Sequence, residues 1–333
     1  MKIVIIQNTY YHFETAISLY QICKDMNFDV SFYICENVKE YDKFKQDQFL
    51  KKYNIKYEIL DNIHEYDTGI VISANPKPKG ILPSSQDGIF KKLTKLIYIS
   101  HRFHPTTNYT NYLVNKRNSL CLSPLAKHIG INYIWLINSP IVPVYNTIKE
   151  PIKLSVPGHF QFRHRFLNLL RDIKCDNDKY KIQLLGTNSI KAYKYQILNK
   201  QCCTPFQDLS ELDFYNKCNY DTHFFMPMID DKMKQGLYIN TVYSSTFNLS
   251  YILEKPIFAH KIFESIYRIP GIYYDENNFS SKFDQMLSIS NNEYGALVSQ
   301  FKEIKKDLYS HNKEVLFSKV QSMQNLKKDM WYG

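Results

Sequence analysis

Short apolar runs rich in β-branched residues alternate with helix-length amphipathic segments along this chain, and after a cluster of prolines the alternation begins again. Residues 2–6 read Lys-Ile-Val-Ile-Ile, the continuous run of a strand covered on both faces. Residues 14–26 follow with Ala16, Ile17, Leu19, Tyr20 and Cys23 near helical spacing, and residues 28–34 open a second strand. Further apolar runs at 69–73, 96–100, 119–122 and 133–137 are separated by helix-length or turn-rich segments. Parallel strands joined by helices account for this order, so the first half is expected to be a parallel sheet with helices on both faces.

Pro140, Pro143 and Pro151 then cluster, and a domain linker is expected there, because proline interrupts regular elements and stiffens connections. The second half repeats the pattern, with strands at 153–156, 181–185, 222–226, 256–259 and 271–274 and helices at 162–173, 208–217 and 245–253. A long charged helix is expected from Tyr294 to about Lys328. The fold class is therefore α/β with two Rossmann-like domains facing across a cleft. The N-terminal domain is set at 1–145 and the C-terminal domain at 146–310, with a helical tail at 311–333 packing back on the first. A length of 333 residues suits two domains of ordinary size.

Hydrophobic content of 44% and charged content of 22% describe a globular chain with no apolar run long enough to span a membrane. The apolar start is too short for a signal peptide, and seven cysteines, an odd number without a Cys-x-x-Cys pair, suit reducing conditions. A cytoplasmic protein is expected, in the host's cytoplasm if the AT-rich residue usage reflects a large DNA virus. The net charge of +10 favours an anionic partner. Arg-rich blocks, zinc fingers and aromatic-basic RNA motifs are absent, which argues against nucleic acid. Membrane contact is expected to be peripheral at most.

The sharpest local signal is residues 243–259, a polar turn, a short helix, a Lys-Pro turn and an apolar strand. Ser245 or Thr246 suits the N-cap, and the first N–H groups of a helix lack partners while its dipole makes that end positive, so Ser244, Ser245, Thr246, Phe247 and Asn248 can cradle a phosphate. An ordinary capped helix reads the same way. The dinucleotide fingerprint Gly-x-Gly-x-x-Gly and the Walker A motif are both absent, which disfavours a nicotinamide enzyme and a P-loop ATPase.

Loops after other strands supply further candidates. His12 and Glu14 follow the first strand, where a His beside a carboxylate can act as general base; equally, Glu14 complements a helix dipole and His12 is solvated. His101, with Arg102 and His104, follows the strand at 96–99 and suits a polar cleft role better than a metal site, since no acidic third ligand is near. Gly158 allows close backbone approach, and Arg163 and Arg165 bring guanidinium groups to a helix start, where cations oppose the dipole and want an anion. Asp176-Asn177-Asp178 is read as a turn rather than a metal motif, because it joins a helix to a strand instead of ending one. Glu264 can accept from ribose hydroxyls or sit as a surface carboxylate.

With both halves read, the chain resembles a GT-B glycosyltransferase, on Pro157 through Arg165, on Leu209 through Met226, and on Ser244 through Ala259 followed by Gly271 to Tyr274. The resemblance implies transfer of a sugar from a nucleotide-sugar, UDP- or GDP-linked, to a glycan, lipid or protein, with no metal and no cofactor. It implies that Arg163 or Arg165 and the amides of 245–248 hold the diphosphate. Two departures stand out: Leu249 occupies the place of the retaining families' glutamate, and Glu254-Lys255-Pro256 lacks the usual glycine. If the reaction inverts, His12 or Glu14 is the expected base; if it retains, none is needed there. A sugar-nucleotide epimerase and a non-catalytic nucleotide-sugar or glycan-binding protein are the alternatives.

Overall fold

The computed structural model describes residues 1–7, 13–34, 48–55, 57–58, 65–72, 95–100, 119–122, 133–135, 139–158, 173–186, 189–190, 201–227, 229 and 244–325. The chain divides into two compact units, one of 1–140, 240–243 and 307–333 and the other of 141–239 and 244–306.

The first unit is built on strands β1 (Lys2–Gln7), β2 (Asp29–Ile34), β3 (Tyr57–Glu58), β4 (Thr68–Ile72), β5 (Leu96–Ser100) and β6 (Ser119–Cys121), with helix α1 (Phe13–Asp25) between the first two. All pairings are parallel, and the spatial order is β3-β2-β1-β4-β5-β6. Ile3, Val4, Ile5 and Ile6 are fully buried, as a central parallel strand requires. α1 lays Ala16, Ile17, Leu19, Tyr20 and Cys23 on that sheet. It ends at Asn27 in the left-handed region at φ 58°, with Phe28 N–H closing back to Cys23 O at 3.0 Å. Tyr133 only bridges to Cys121, so the strand expected at 133–137 is reduced to that contact among the described residues.

The second unit repeats the topology with β7 (Ile152–Pro157), β8 (Tyr180–Leu185), β9 (Cys203–Phe206), β10 (Phe224–Phe225), β11 (Ile257–His260) and β12 (Gly271–Tyr274), again all parallel, in the order β12-β11-β10-β7-β8-β9. Both orders are the doubly wound one, reversing direction between β1 and β4 in one sheet and between β7 and β10 in the other. The described helices of this unit are α2 (Glu211–Tyr220), α3 (Ser245–Leu253), α4 (Glu264–Tyr267), α5 (Phe279–Leu287) and the first part of α6 (Asn291–Gln324). Phe279, Phe283 and Met286 of α5 join Ile152, Leu154, Ile182, Phe224 and Phe258 in one core.

Local chemistry moves several boundaries. α2 starts at Glu211 rather than 208, because Asp208 takes φ 57° and Ser210 is the N-cap, accepting from Asp213 N–H at 3.0 Å. β9 carries Pro205 opposite Leu184, which an edge strand tolerates because no ladder donor is needed there. The helix expected at 162–173 lies outside the described residues but for Ile173, which is not helical.

The proline-containing segment 141–151 belongs to the second unit and is tied to it by hydrogen bonds. Asn219 donates to Val142 O and accepts from Val144 N–H, both at 2.9 Å. The Lys255 ammonium, 1% exposed, donates to Val144 O, and Ile148 N–H donates to Asn291 Oδ1 at 2.7 Å. Burial first of all pulls Lys255 down to about 8. α6 contributes its residues to 306 to the second unit and those from 307 to the first. There the fully buried Asn312 accepts from Trp135 N–H at 2.8 Å and donates to Trp135 O, while the His311 ring lies tilted against Tyr133 with centroids 4.6 Å apart. No helix among the described residues is long and apolar enough to cross a membrane.

Candidate functional site

In the second unit the switch point falls between β7 and β10, and ligands of doubly wound sheets bind beyond the carboxyl ends of the strands there. β7 runs into Gly158 at φ 114° and β8 into Gly186 at φ 147°. Gly158 N–H donates to Leu185 O at 2.8 Å, and a Cβ on Gly186 would stand 2.0 Å from Gly158 O. Only backbone therefore passes at this corner, and no side chain of Gly158 stands over the end of β7.

α3 lies on the crossover from β10 to the parallel strand β11, so it runs against the strands and starts at their carboxyl edge. Its N-cap is Ser244, one residue before the caps expected from sequence, with extended backbone and a carbonyl that accepts from Phe247 N–H at 3.1 Å. The Ser244 hydroxyl makes no capping bond. Thr246, in the first turn, is fully buried and its hydroxyl has no hydrogen-bond partner. No acidic residue occupies that turn, whereas α1 carries Glu14 and α2 carries Glu211 and Asp213 in theirs. The positive end of the α3 dipole is thus not neutralised from within its own first turn.

The helix is held rigidly beneath these groups. Phe247 stacks on Tyr267 at 4.0 Å and lies 5.4 Å from Phe263, and Tyr251 donates to Tyr267 O at 2.8 Å. Asn248 and Ser250 are fully buried, and Leu249 is 3% exposed.

Beyond β11 the chain turns through a 3₁₀ segment, Lys261–Phe263, into α4. Glu264 is exposed at the start of α4. His260 is not among the candidates the sequence offers, although it is the first polar residue after the run Ile257-Phe258-Ala259. It is 7% exposed, its Nδ1 accepts from Ile262 N–H at 3.3 Å, and its Nε2 lies 3.5 Å from Glu276 Oε2.

Gly158, Ser244–Asn248 and Glu264 all fall in the second unit, at or just after carboxyl ends of its strands. Glu14 is in the first unit, 8% exposed in the first turn of α1, beside Thr15, whose fully buried hydroxyl has no hydrogen-bond partner. His12, His101, Arg163 and Arg165 lie outside the described residues. Asp176 caps its own turn, accepting from Asp178 and Lys179 N–H groups at 3.2 and 3.3 Å.

No protein-family model matches the sequence, and no curated protein does either. Solved structures match over almost the whole chain. The Anabaena protein Alr3699/HepE, in complex with UDP-glucose, superposes with a TM-score of 0.59 at 11% identity, covering 96% of this chain and 99% of its own. AviGT4, a glycosyltransferase involved in avilamycin A biosynthesis, gives 0.55 at 9% identity over 98% and 99%. A UDP-N-acetylglucosamine 2-epimerase gives 0.50 at 11% identity over 90% of each chain. At these identities the likeness is one of fold: two Rossmann-like domains of the GT-B kind.

Proposed function

We propose that this protein is a glycosyltransferase, moving a sugar from a UDP- or GDP-sugar to a glycan, lipid or protein hydroxyl without metal or cofactor. The observation that carries the reading is the start of α3, with Ser244 not used as a side-chain cap, a buried Thr246 hydroxyl without a partner and no carboxylate in its first turn. The N–H groups of Ser245 and Thr246 and two hydroxyls there suit a phosphate, whereas Phe247 N–H, also expected to take part, is occupied by Ser244 O. Gly158 places no side chain of its own at the end of β7, and Arg163 or Arg165 would add charge. Stabilising charge on the departing nucleoside diphosphate is how such a site lowers the barrier to sugar transfer. Glu264 is kept for the ribose, and His12, Glu14 and His101 for the acceptor side, with His12 or Glu14 as the base if the reaction inverts. The UDP-glucose complex of Alr3699/HepE supports the donor class. Six described cysteines, all free thiols, support a cytoplasmic location.

The test is calorimetric titration with UDP and GDP. Thr246→Val keeps the shape and removes the hydroxyl, and is expected to weaken binding by about 1.5–3 kcal/mol, the worth of a bond to a charged group. Unchanged affinity would remove the diphosphate from this helix. The epimerase reading, which a similar structure favours, separates by product: epimerisation proceeds without an acceptor, whereas transfer releases the nucleoside diphosphate in proportion to glycosylated acceptor.

A further inference from the structure

We infer that Cys175 and Cys202 form a redox-modification site, in which hydrogen peroxide closes a reversible disulfide between the turn that leads into β8 and the residue before β9. The two strands start side by side, with Ile182 N–H donating to Cys202 O at 2.7 Å and Ile182 in register with Cys203. Cys202 N–H donates to Cys175 Sγ at 2.9 Å, which brings that sulfur onto the backbone of the other cysteine. The Cys202 thiol donates in turn to the Tyr180 hydroxyl at 3.7 Å, and that hydroxyl donates to Lys174 O at 2.8 Å. Tyr180 is clamped edge-on against Phe283 at 5.3 Å, and Asp176 fixes the turn beside Cys175, so both sulfurs sit on rigid supports.

The pair differs from the other thiols. Cys175 is half-buried and therefore reachable, while Cys202 is 1% exposed and shielded behind it. Hydrogen bonding from the neighbouring Cys203 thiol, helped by Cys175, draws the Cys202 thiol below its ordinary range in spite of its burial. Burial instead pushes Cys121 up to about 12, and it raises Cys23 and Cys218 further. Those three are inert by comparison. Among the described residues no three His, Cys, Asp or Glu side chains are grouped to hold a metal ion, so pairing is the chemistry open to these thiols.

The steps balance with peroxide as the two-electron oxidant. The Cys175 thiolate attacks one peroxide oxygen, an S–O bond forms, the O–O bond breaks, and the departing hydroxide takes a proton to become water. The Cys202 thiolate then attacks the Cys175 sulfur, an S–S bond forms, the S–O bond breaks, and the departing hydroxide takes up the proton released by the second thiol and leaves as water. Two thiols and one peroxide become one disulfide and two waters. The closed loop runs from 175 to 202 and holds β8 within it.

The whole protein would be exposed to hydrogen peroxide, blocked with N-ethylmaleimide, digested and analysed by mass spectrometry, with thermal melting in parallel. Expected are a peptide pair joined through Cys175 and Cys202, and a melting temperature several degrees higher because the unfolded chain is constrained, both reversed by dithiothreitol. In Cys175→Ser the joined pair and the rise both disappear. Accumulation of Cys175 sulfinic acid beside alkylated Cys202 would overturn the proposal. So would a bond between Cys202 and Cys203, or an unchanged melt in wild type carrying the crosslink.

Discussion

Replacing Glu254 separates backbone strain from side-chain contact at one position. The residue ends α3 at φ 52°, in the left-handed region where a side chain with a Cβ is disfavoured by about 1–2 kcal/mol. What holds it there is its carboxylate, 7% exposed as a residue, which accepts from Lys305 Nζ at 2.8 Å and from the Tyr145 hydroxyl at 2.6 Å. Burial first, and then the carboxylate beside it, push the Tyr145 hydroxyl up to about 12, so it stays a donor at neutral pH. Removing an acceptor from a charged bond costs about 1.5–3 kcal/mol where the partner stays desolvated. The Lys305 side chain is 23% exposed and comes near that range, while Tyr145 at 55% recovers water and contributes roughly 1 kcal/mol or less. Glu254→Ala loses both contacts and keeps the Cβ, so it is expected to destabilise by roughly 2–4 kcal/mol. Glu254→Gly loses the same contacts but relieves the strain, and should be less destabilised than alanine by about 1–2 kcal/mol. Urea unfolding followed by circular dichroism, with equal slopes for the two variants, measures both. Alanine as stable as wild type would show that the contacts contribute nothing; glycine no better than alanine would show that the left-handed turn stores no strain.

Two further expectations concern packing and pH. Asn312→Leu fits a similar volume but leaves the N–H and C=O of Trp135 without their partner, so the first unit should lose roughly 2–5 kcal/mol, read by tryptophan fluorescence in urea; a loss under about 1 kcal/mol would refute it. Burial first, then Lys255, Lys153 and Lys149, hold His223 down to about 4, below its ordinary 6.5. The unfolded chain therefore binds the proton that the folded chain excludes, and stability is full above pH 6.5 and falls as pH drops toward 4, by at most about 1.4 kcal/mol per pH unit. His223→Gln should flatten that limb, and an unaltered slope would assign the loss to other groups.

Strand runs and helix spacing were legible wherever a single element carried its own signal. Ser245–Leu253 and Gly271–Tyr274 follow directly from the sequence, since a polar cap precedes the first and both are bounded by turn residues. β9 was not legible: Cys203-Thr204-Pro205-Phe206 looks like a break, and only its place at the sheet edge makes proline harmless. α5 is absent from the sequence-based expectations although Phe279, Phe283 and Met286 fall on one helical face. At the candidate site, the polar stretch from Ser244 to Asn248 was visible as a possible anion seat, but Ser244's role as cap was not, because Ser245 and Thr246 are equally good caps in isolation. The bonds that hold 141–151 were invisible for a different reason. They run between backbone groups and side chains such as Asn219, Lys255 and Asn291, 75 to 143 positions apart, and local pattern carries no information at that range.

The docking of Trp135 onto Asn312 also sets an order of events during synthesis. The two partners are 177 residues apart, and at ribosomal rates of about 5–20 residues per second the second arrives roughly 10–35 s after the first. Met1, whose sulfur accepts from Gln324 Nε2 at 2.8 Å, waits longer still. The unit that leaves the ribosome first is thus the one completed last. Its unfinished face is open to chaperones for the whole interval, and a chain cut short by the premature loss of α6 leaves the defect at the beginning of the protein rather than at its end.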